Sequence, residues 1–454
     1  MALLGVHIVI SLIALTILSK FRGRFNLSTL LLKGLFRYLP PSSDHLREAA
    51  HIPTTNARGR RRKQEIDERE TKGFKVPKTS DFNMYLMEVR REDLEQLPFY
   101  EHFVWLTDFL FFAILVSSLS AFSKLILPDC TDVNVSVVWL LICIAWVLHT
   151  LAKLTSAMIF SEEVEAERNL IVCFAAVYFI VSMVFVMSCD KWIDIEFVNA
   201  FESIIKRAND FLLSQNVSAE SLLQSRSPIL LYVTLSFMFA FTACMLVFPN
   251  FRYATMFSNS MKQATPAMKI ILNITFLLPL FLLLLFTKPA HTYLVDNRKL
   301  LTDYQLDTFR LWAVIGWAVL RLAFRKPHLQ SHLDLAVDRV KSMRKESGNV
   351  NSIELQRMIF RYFSYLCPAA LQYFIPVFLP LILTFLLASL GNQSWLALPA
   401  DIKDEVNSDQ MASLNVLISE NVQRAFWTLC LVFTLLANTS LSFIGFINNS
   451  YLLS

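Results

Sequence analysis

The sequence predicts an all-α protein: a polytopic helical membrane bundle of about nine transmembrane helices with short amphipathic interfacial helices. Two observations predict it. Apolar stretches of near-bilayer length recur along the 454 residues, and one of them, Ile270–Thr287, carries no charge at all. About 20 apolar residues at ~1.5 Å rise cross a ~30 Å hydrocarbon core. The composition agrees, with 55% hydrophobic and 17% charged residues, where a soluble domain carries about 25% charged. A mean hydropathy of +0.47 points the same way.

The spans fall at about 2–19, 103–123, 137–156, 170–189, 229–248, 270–287, 308–324, 362–387 and 425–447. They divide the chain into an N-terminal anchor (1–19), a basic, partly disordered cytoplasmic loop (20–101) and a helical bundle (102–454). The first span has the length of a signal peptide. No Lys or Arg precedes it, no small-x-small cleavage pattern follows, and Lys20, Arg22 and Arg24 come directly after it. That pattern favours an uncleaved anchor with its N-terminus outside over a cleaved signal.

Orientation follows from Lys and Arg in the loops. With 20–101 inside, inner loops hold 29 of them and outer loops 10. Without the long first loop the margin narrows to 12 against 10, so the basic flanks carry the argument. Lys20, Arg22 and Arg24 after the first span agree with Arg321, Arg325 and Lys326 after the seventh. The sequons at Asn134, Asn216 and Asn392 then fall outside, making them candidate N-glycosylation sites in a protein of the secretory pathway, in the endoplasmic reticulum or the plasma membrane. Asn26 falls inside, and Asn273 and Asn438 fall within spans.

Between the spans, residues 25–39 (FNLSTLLLKGLFRYL) read as a helix on the membrane surface, ended by Pro40 and Pro41. RGRRRK (58–63) resembles a nuclear signal. In a chain with nine spans it reads instead as a solvated linker or a contact with anionic lipid, and no nucleic-acid partner is expected. Amphipathic stripes at 193–213 and 329–343 predict surface helices, and a weaker one covers 405–424. Five cysteines sit within spans as packing residues. Cys130 and Cys189 lie near the outer surface, where a bridge between them is conceivable.

No catalytic, nucleotide or metal motif stands out, so the chain reads as non-enzymatic and free of cofactors. His328 and His332 share one helical face, yet lack the glutamate of a zinc motif and a third ligand; they read as interfacial. Attention falls on ionisable groups inside apolar spans, which are costly there and face protein or water. Arg310 and Arg321 are 11 residues apart, about three turns plus 20°, on one face with Trp317. Asp307 stands three residues before Arg310 and can pair with it. Three readings are open for the arginines: snorkelling to opposite headgroup layers, buried pairing that organises the bundle, or charge movement. Asp108 and Lys153 come to similar depth on adjacent spans, with His149 one turn from Lys153. They could form an ion pair or a proton relay, or snorkel separately. Pro368, Pro376 and Pro380 predict a bent or locally unwound eighth span.

The order LDTFRLW (306–312), HLQSHLDLA (328–336), IELQRMIFRYFSYLC (353–367), ALQYFIP (370–376) and LGNQSW (390–395) resembles the transmembrane protein 161 family of eukaryotes. EEVEAER (162–168) and a turn at FPNFR (248–252) fit it as well. The resemblance implies a multi-pass protein without enzymatic activity, linked to ion handling in excitable cells, notably potassium and calcium currents, and to protection against oxidative stress. Its partners would be the lipid bilayer and membrane proteins such as ion channels or pumps. The rival reading is an intrinsic channel or transporter with the intramembrane charges along its pathway.

The sequon at Asn216, far from both flanking spans, gives the first prediction. Endoglycosidase should increase the gel mobility of the native protein, and Asn216→Gln should abolish most of that shift. Glycosylation at Asn26 would overturn the orientation.

Overall fold

The computed structural model describes residues 6–24, 26–50, 73–126, 134–159, 165–214, 228–391, 393–396 and 419–452. RGRRRK, Cys130, Asn216, Asn392 and most of 405–424 lie outside them. Helices stand at all nine predicted places. Among the described residues, seven segments are long and apolar enough to cross a membrane: Tyr100–Ser123, Ser136–Ile159, Asn169–Trp192, Ile229–Gln263, Pro266–Leu285, Ser352–Leu390 and Glu420–Tyr451. The count of nine therefore does not stand on length and apolarity. The first helix, α1 (Val6–Arg24), has only the shorter apolar stretch His7–Lys20. The predicted seventh span is a helix over Asp303–Ala323, but Asp303, Asp307, Arg310 and Arg321 make it too polar to qualify.

In chain order, a small unit, on the side that the basic flanks assign to the inside, begins with α2 (Leu27–Leu32), β1 (Phe36–Leu39), α3 (Ser43–Ala49), β2 (Lys75–Pro77), β3 (Tyr85–Glu88) and α4 (Arg91–Glu95). The bundle follows: α5 (Tyr100–Ile126), α6 (Ser136–Ile159), α7 (Glu165–Trp192), α8 (Phe197–Ser214), α9 (Ile229–Gln263) and α10 (Pro266–Leu285). Next come α11 (Asp303–Ala323), α12 (Arg325–Arg344), β4 (Asn349–Asn351), α13 (Ser352–Ser364), α14 (Leu366–Leu390) and α15 (Glu420–Ile447).

The expected surface helix over 25–39 is instead a short helix and a strand. Gly34 at φ +79° divides them, and a Cβ there would come within 2.7 Å of Lys326 Nζ. Strand β1 pairs antiparallel with β3, and β2 pairs antiparallel with β4. Leu46, Val76, Phe82, Val340, Met343, Leu355 and Ile359 form a second apolar core under this unit. The described parts of 20–101 are thus folded against α12 and α13. Arg325 secures the join: its Nε and Nη2 donate to the carbonyls of Leu31 (2.7 Å) and Leu30 (2.9 Å) at the end of α2. Carbonyls in the last turn of a helix lack the full set of helical donors; that of Leu30 also accepts from Lys33 N at 3.3 Å.

The stripe of α12 is buried as predicted through Leu329, Leu333, Val340 and Met343. The 193–213 stripe forms α8, whose first amides are capped by Asp190 (2.6 Å to Phe197 N and 3.1 Å to Val198 N). Cys189 is a free buried thiol that donates to the Val186 carbonyl, so the conceivable bridge to Cys130 is not made.

Two departures concern proline. The FPNFR segment is no turn: α9 runs through Pro249 for 35 residues, ~52 Å at 1.5 Å per residue, longer than a ~30 Å hydrocarbon core. Nor is α14 unwound. It is one helix with Pro376 and Pro380 inside it, and every residue from Leu366 to Ala388 is buried. Pro380 cannot donate to the Pro376 carbonyl four residues back. Asn438 Nδ2 of α15 supplies that bond at 2.9 Å. Asn438 Oδ1 in turn accepts from Asn250 Nδ2 at 3.0 Å, and Ser442 Oγ donates to Asn250 Oδ1 at 3.2 Å. A relay of side-chain amides therefore ties α9, α14 and α15 together at the centre.

Asn438→Leu leaves the Pro376 carbonyl without this donor and the Asn250 amide with its bond to the Leu246 carbonyl alone, a cost of about 1–3 kcal/mol. Purified Asn438→Leu should melt measurably lower than wild type in nanodiscs. In the Asn250→Leu/Asn438→Leu double variant the loss should be smaller than the sum of the single losses.

Candidate functional site: an outer ion-pair cavity and a buried arginine on α11

The buried residues of α11 are Leu306, Arg310, Leu311, Val314, Trp317, Ala318 and Arg321, so both arginines lie on one inward face as their spacing predicts. They are 5% and 2% exposed. Snorkelling to the headgroups is thereby overturned, because each charge is held inside by protein groups.

Arg310 stands toward the N-terminal end of α11, the end that the basic flanks assign to the outside. Its Nη1 donates to Asp194 Oδ2 at 2.9 Å and to Asp307 Oδ1 at 3.2 Å, and its Nε donates to the Leu285 carbonyl at 3.1 Å. The Asp307 pairing is the one expected from the i,i+3 spacing. Asp194 arrives because its amide bonds to the Phe286 carbonyl (3.1 Å), which docks the α7–α8 turn against the end of α10. Asp307 also pairs with Arg424 of α15. His291 Nε2 meets Asp303 Oδ1 at 3.0 Å and lies 4.0 Å from Asp194. These groups line a cavity of about 510 Å³ at the outer ends of α8, α11 and α15. Thr308 Oγ1 and Trp312 Nε1 donate to the carbonyls of Ser394 and Trp395, fastening the segment after α14 beside it.

Sequence reading missed Asp194, His291, Asp303 and Arg424. All four lie in or beside loops, where a charge is unremarkable by hydropathy. The only signal for Asp194 was its place just after the fourth span, level with the outer end of α11.

Arg321 is neutralised differently. Its guanidinium carbon sits 3.7 Å from the Tyr253 ring centroid, 5.3 Å from Tyr373 and 5.7 Å from Trp317. A desolvated cation over aromatic faces gains about 2 kcal/mol or more. Tyr373 Oη donates to the Arg321 carbonyl at 2.8 Å. Among the described residues, Arg321 Nε and Nη2, Tyr253 Oη and Trp317 Nε1 have no hydrogen-bond partner.

His328 and His332 are buried, not interfacial. His328 packs on Tyr253 and Tyr373, each 5.4 Å away. The Met256 carbonyl beside it is already bonded by the hydroxyls of Ser260 (2.6 Å) and Ser331 (3.0 Å). Burial, and then the nearby charge of Arg321, push His328 down to about 3.

The Asp108 constellation takes another form. Asp108 is buried, whereas Lys153 and His149 lie on the exposed side of α6. Lys153 Nζ meets His102 Nε2 at 3.4 Å, and His149 packs on Trp146. The histidine that meets Lys153 is thus on α5, not one turn away on its own helix. Among the sequons, Asn134 is half-buried, with Oδ1 accepting from Ser136 N (3.2 Å) and Ser136 Oγ (2.6 Å) at the start of α6.

An all-α membrane bundle with charges paired inside it, together with the motif order of 306–395, defines a class of multi-pass membrane protein. The chain matches the family described as predicted transmembrane protein 161AB over residues 2–429, and it belongs to that family. No solved structure matches the chain.

Two predictions follow from this geometry. Among the described residues, Arg310→Leu leaves Asp194 only His291 and Asp307 only Arg424 as ion-pair partners. It should cost less than the about 3–5 kcal/mol of a fully stranded buried charge, read as a fall in melting temperature. Adding Asp194→Leu should recover part of it. For His328, the folded state resists protonation, while the unfolded chain takes a proton near pH 6.5. Stability should therefore fall as pH drops below about 6.5, by up to about 1.4 kcal/mol per unit from this residue. His328→Phe, melted in parallel between pH 7.5 and 5, should show a shallower decline.

Proposed function

We propose that this protein is a non-enzymatic membrane protein that adjusts ion homeostasis or membrane excitability, acting on potassium or calcium currents or calcium stores through partner channels or pumps. The burial of α14 carries this reading. An apolar helix enclosed on all sides from Leu366 to Ala388 occupies the axis along which a central conduction path would run. The charges around it support the same reading, since Arg310 is engaged by two carboxylates and Arg321 by aromatic rings. The lipid-facing helices also fit work done through partners. Only 22% of the apolar window of α7 and 28% of that of α10 is buried within the chain, which leaves wide apolar faces for lipid or another membrane protein. A role in oxidative-stress protection, and residence in the endoplasmic reticulum or plasma membrane as a glycoprotein, belong to the same proposal by family resemblance.

The outer cavity favours a second reading, intrinsic transport. A space of about 510 Å³ bordered by Asp194, Asp303, Asp307, Arg310 and Arg424 has the size and polarity of a small-solute vestibule.

Purified protein in liposomes separates the two. The partner reading expects no potassium or calcium flux above empty vesicles, together with altered whole-cell currents in null cells that the wild-type chain restores. Flux from the purified protein alone, lost in Arg424→Gln, would establish the transport reading instead.

A further inference from the structure

We propose that the pocket between α6, α7, α9 and α12 on the inner side binds the phosphate of an anionic phospholipid, with Arg252 as its charged ligand and His332 as a second polar contact. The pocket has a volume of about 300 Å³. Its wall is divided chemically. Met158, Leu170, Phe248 and Phe251 form an apolar part, whereas Arg252, Asn259 and His332 form a polar part. A free phosphate would use only the polar part. A phospholipid uses both, its phosphate at Arg252 and the start of an acyl chain along Leu170 and Phe248.

Three observations support the site. First, Arg252 is held in place with its charge uncommitted. Its guanidinium lies 4.7 Å from the Tyr365 ring centroid, and among the described residues it makes no ion pair. Second, His332 is only 3% exposed, lines the pocket, and has no hydrogen-bond partner on either ring nitrogen. The Tyr362 backbone lies beside the ring, but not at hydrogen-bonding geometry. Burying a polar group without a partner costs about 1–3 kcal/mol, and an acceptor in the pocket removes that cost. Burial, followed by the charge of Arg252, holds His332 down to about 3. The imidazole is therefore neutral and offers one N–H to an oxygen without repelling the guanidinium. Third, the location suits a lipid. The pocket opens beside α7, whose Val172 and Ile180 are each 65% exposed on an apolar face. It lies on the side that the basic flanks assign to the cytoplasm, where anionic lipids concentrate.

The test uses the full-length protein, purified in a mild detergent. Native mass spectrometry with dioleoyl phosphatidylglycerol, phosphatidylserine or phosphatidylinositol should show one retained lipid, and its addition should raise the melting temperature. Phosphatidylcholine should be retained at least tenfold less. Arg252→Gln should lower retention of anionic lipid about tenfold, and His332→Gln, which keeps a donor, should lower it less. Equal retention by Arg252→Gln, or an equal thermal shift from phosphatidylcholine, overturns the proposal. The same shift from inorganic phosphate alone overturns the assignment to lipid and leaves a soluble anion as occupant. A photoactivatable phosphatidylserine, applied to the unmodified protein, guards against variants that fail to fold. It should label peptides containing Met158, Leu170 or Phe251, and labelling confined to other regions also overturns the proposal.

Discussion

The bond from Asn438 to the Pro376 carbonyl is the interaction on which the rest of the bundle depends. A helix enclosed by protein in an apolar surrounding has no water to complete a broken backbone ladder. Proline at position 380 breaks the ladder of α14 at its most enclosed part, and an amide from α15 closes it. Because that same amide is bonded to Asn250, the repair also fixes where α9 sits. Every helix packed on α14 inherits its geometry from this contact. A polar residue in the middle of an apolar span is costly alone; here three such residues satisfy one another and a carbonyl that had no other donor.

The two arginines of α11 show that one problem, a buried guanidinium, admits two solutions at opposite ends of a helix. At the outer end there is space and polarity enough for carboxylates, and Asp194 and Asp307 take the charge. Toward the inner end the neighbours are α9 and α14, where a carboxylate would bring its own desolvation cost. Rings of Tyr253, Tyr373 and Trp317 accept the charge there through their faces. The asymmetry sets different vulnerabilities: the outer pair fails by electrostatic imbalance, the inner one by loss of packing.

Much of the architecture was legible in the chain because hydropathy reports burial directly. Seven long apolar segments, the stripe of α12 and the shared face of Arg310, Trp317 and Arg321 all follow from periodicity and composition. What was not legible depended on partners distant in sequence. The helix break expected at Pro376 and Pro380 is healed by a residue about 60 positions later, and nothing in the proline pattern announces that. Asp194 and Arg424 looked like loop charges until the fold brought them against α11. The stretch 25–39 has the composition of a surface helix. Gly34 and a pairing with Tyr85–Glu88 make its last four residues a strand, since strand pairing is a property of two segments and not of one.

The inner unit is closed by a segment distant from it along the chain. Phe74 N bonds to Ser352 Oγ across 278 positions, β2 finds its only described partner in β4, and Arg325 caps a helix that ends at Leu32. During synthesis the N-terminal segment emerges first and must wait, with β2 unpaired and half of its apolar core absent, until most of the membrane helices have been inserted. A chain that stops anywhere between α5 and α12 therefore leaves that unit open, with an unpaired strand edge and an incomplete apolar core exposed to solvent. Completion of this unit is in effect a readout that the helices before α14 have been threaded, and quality-control machinery that senses exposed apolar surface would register its failure.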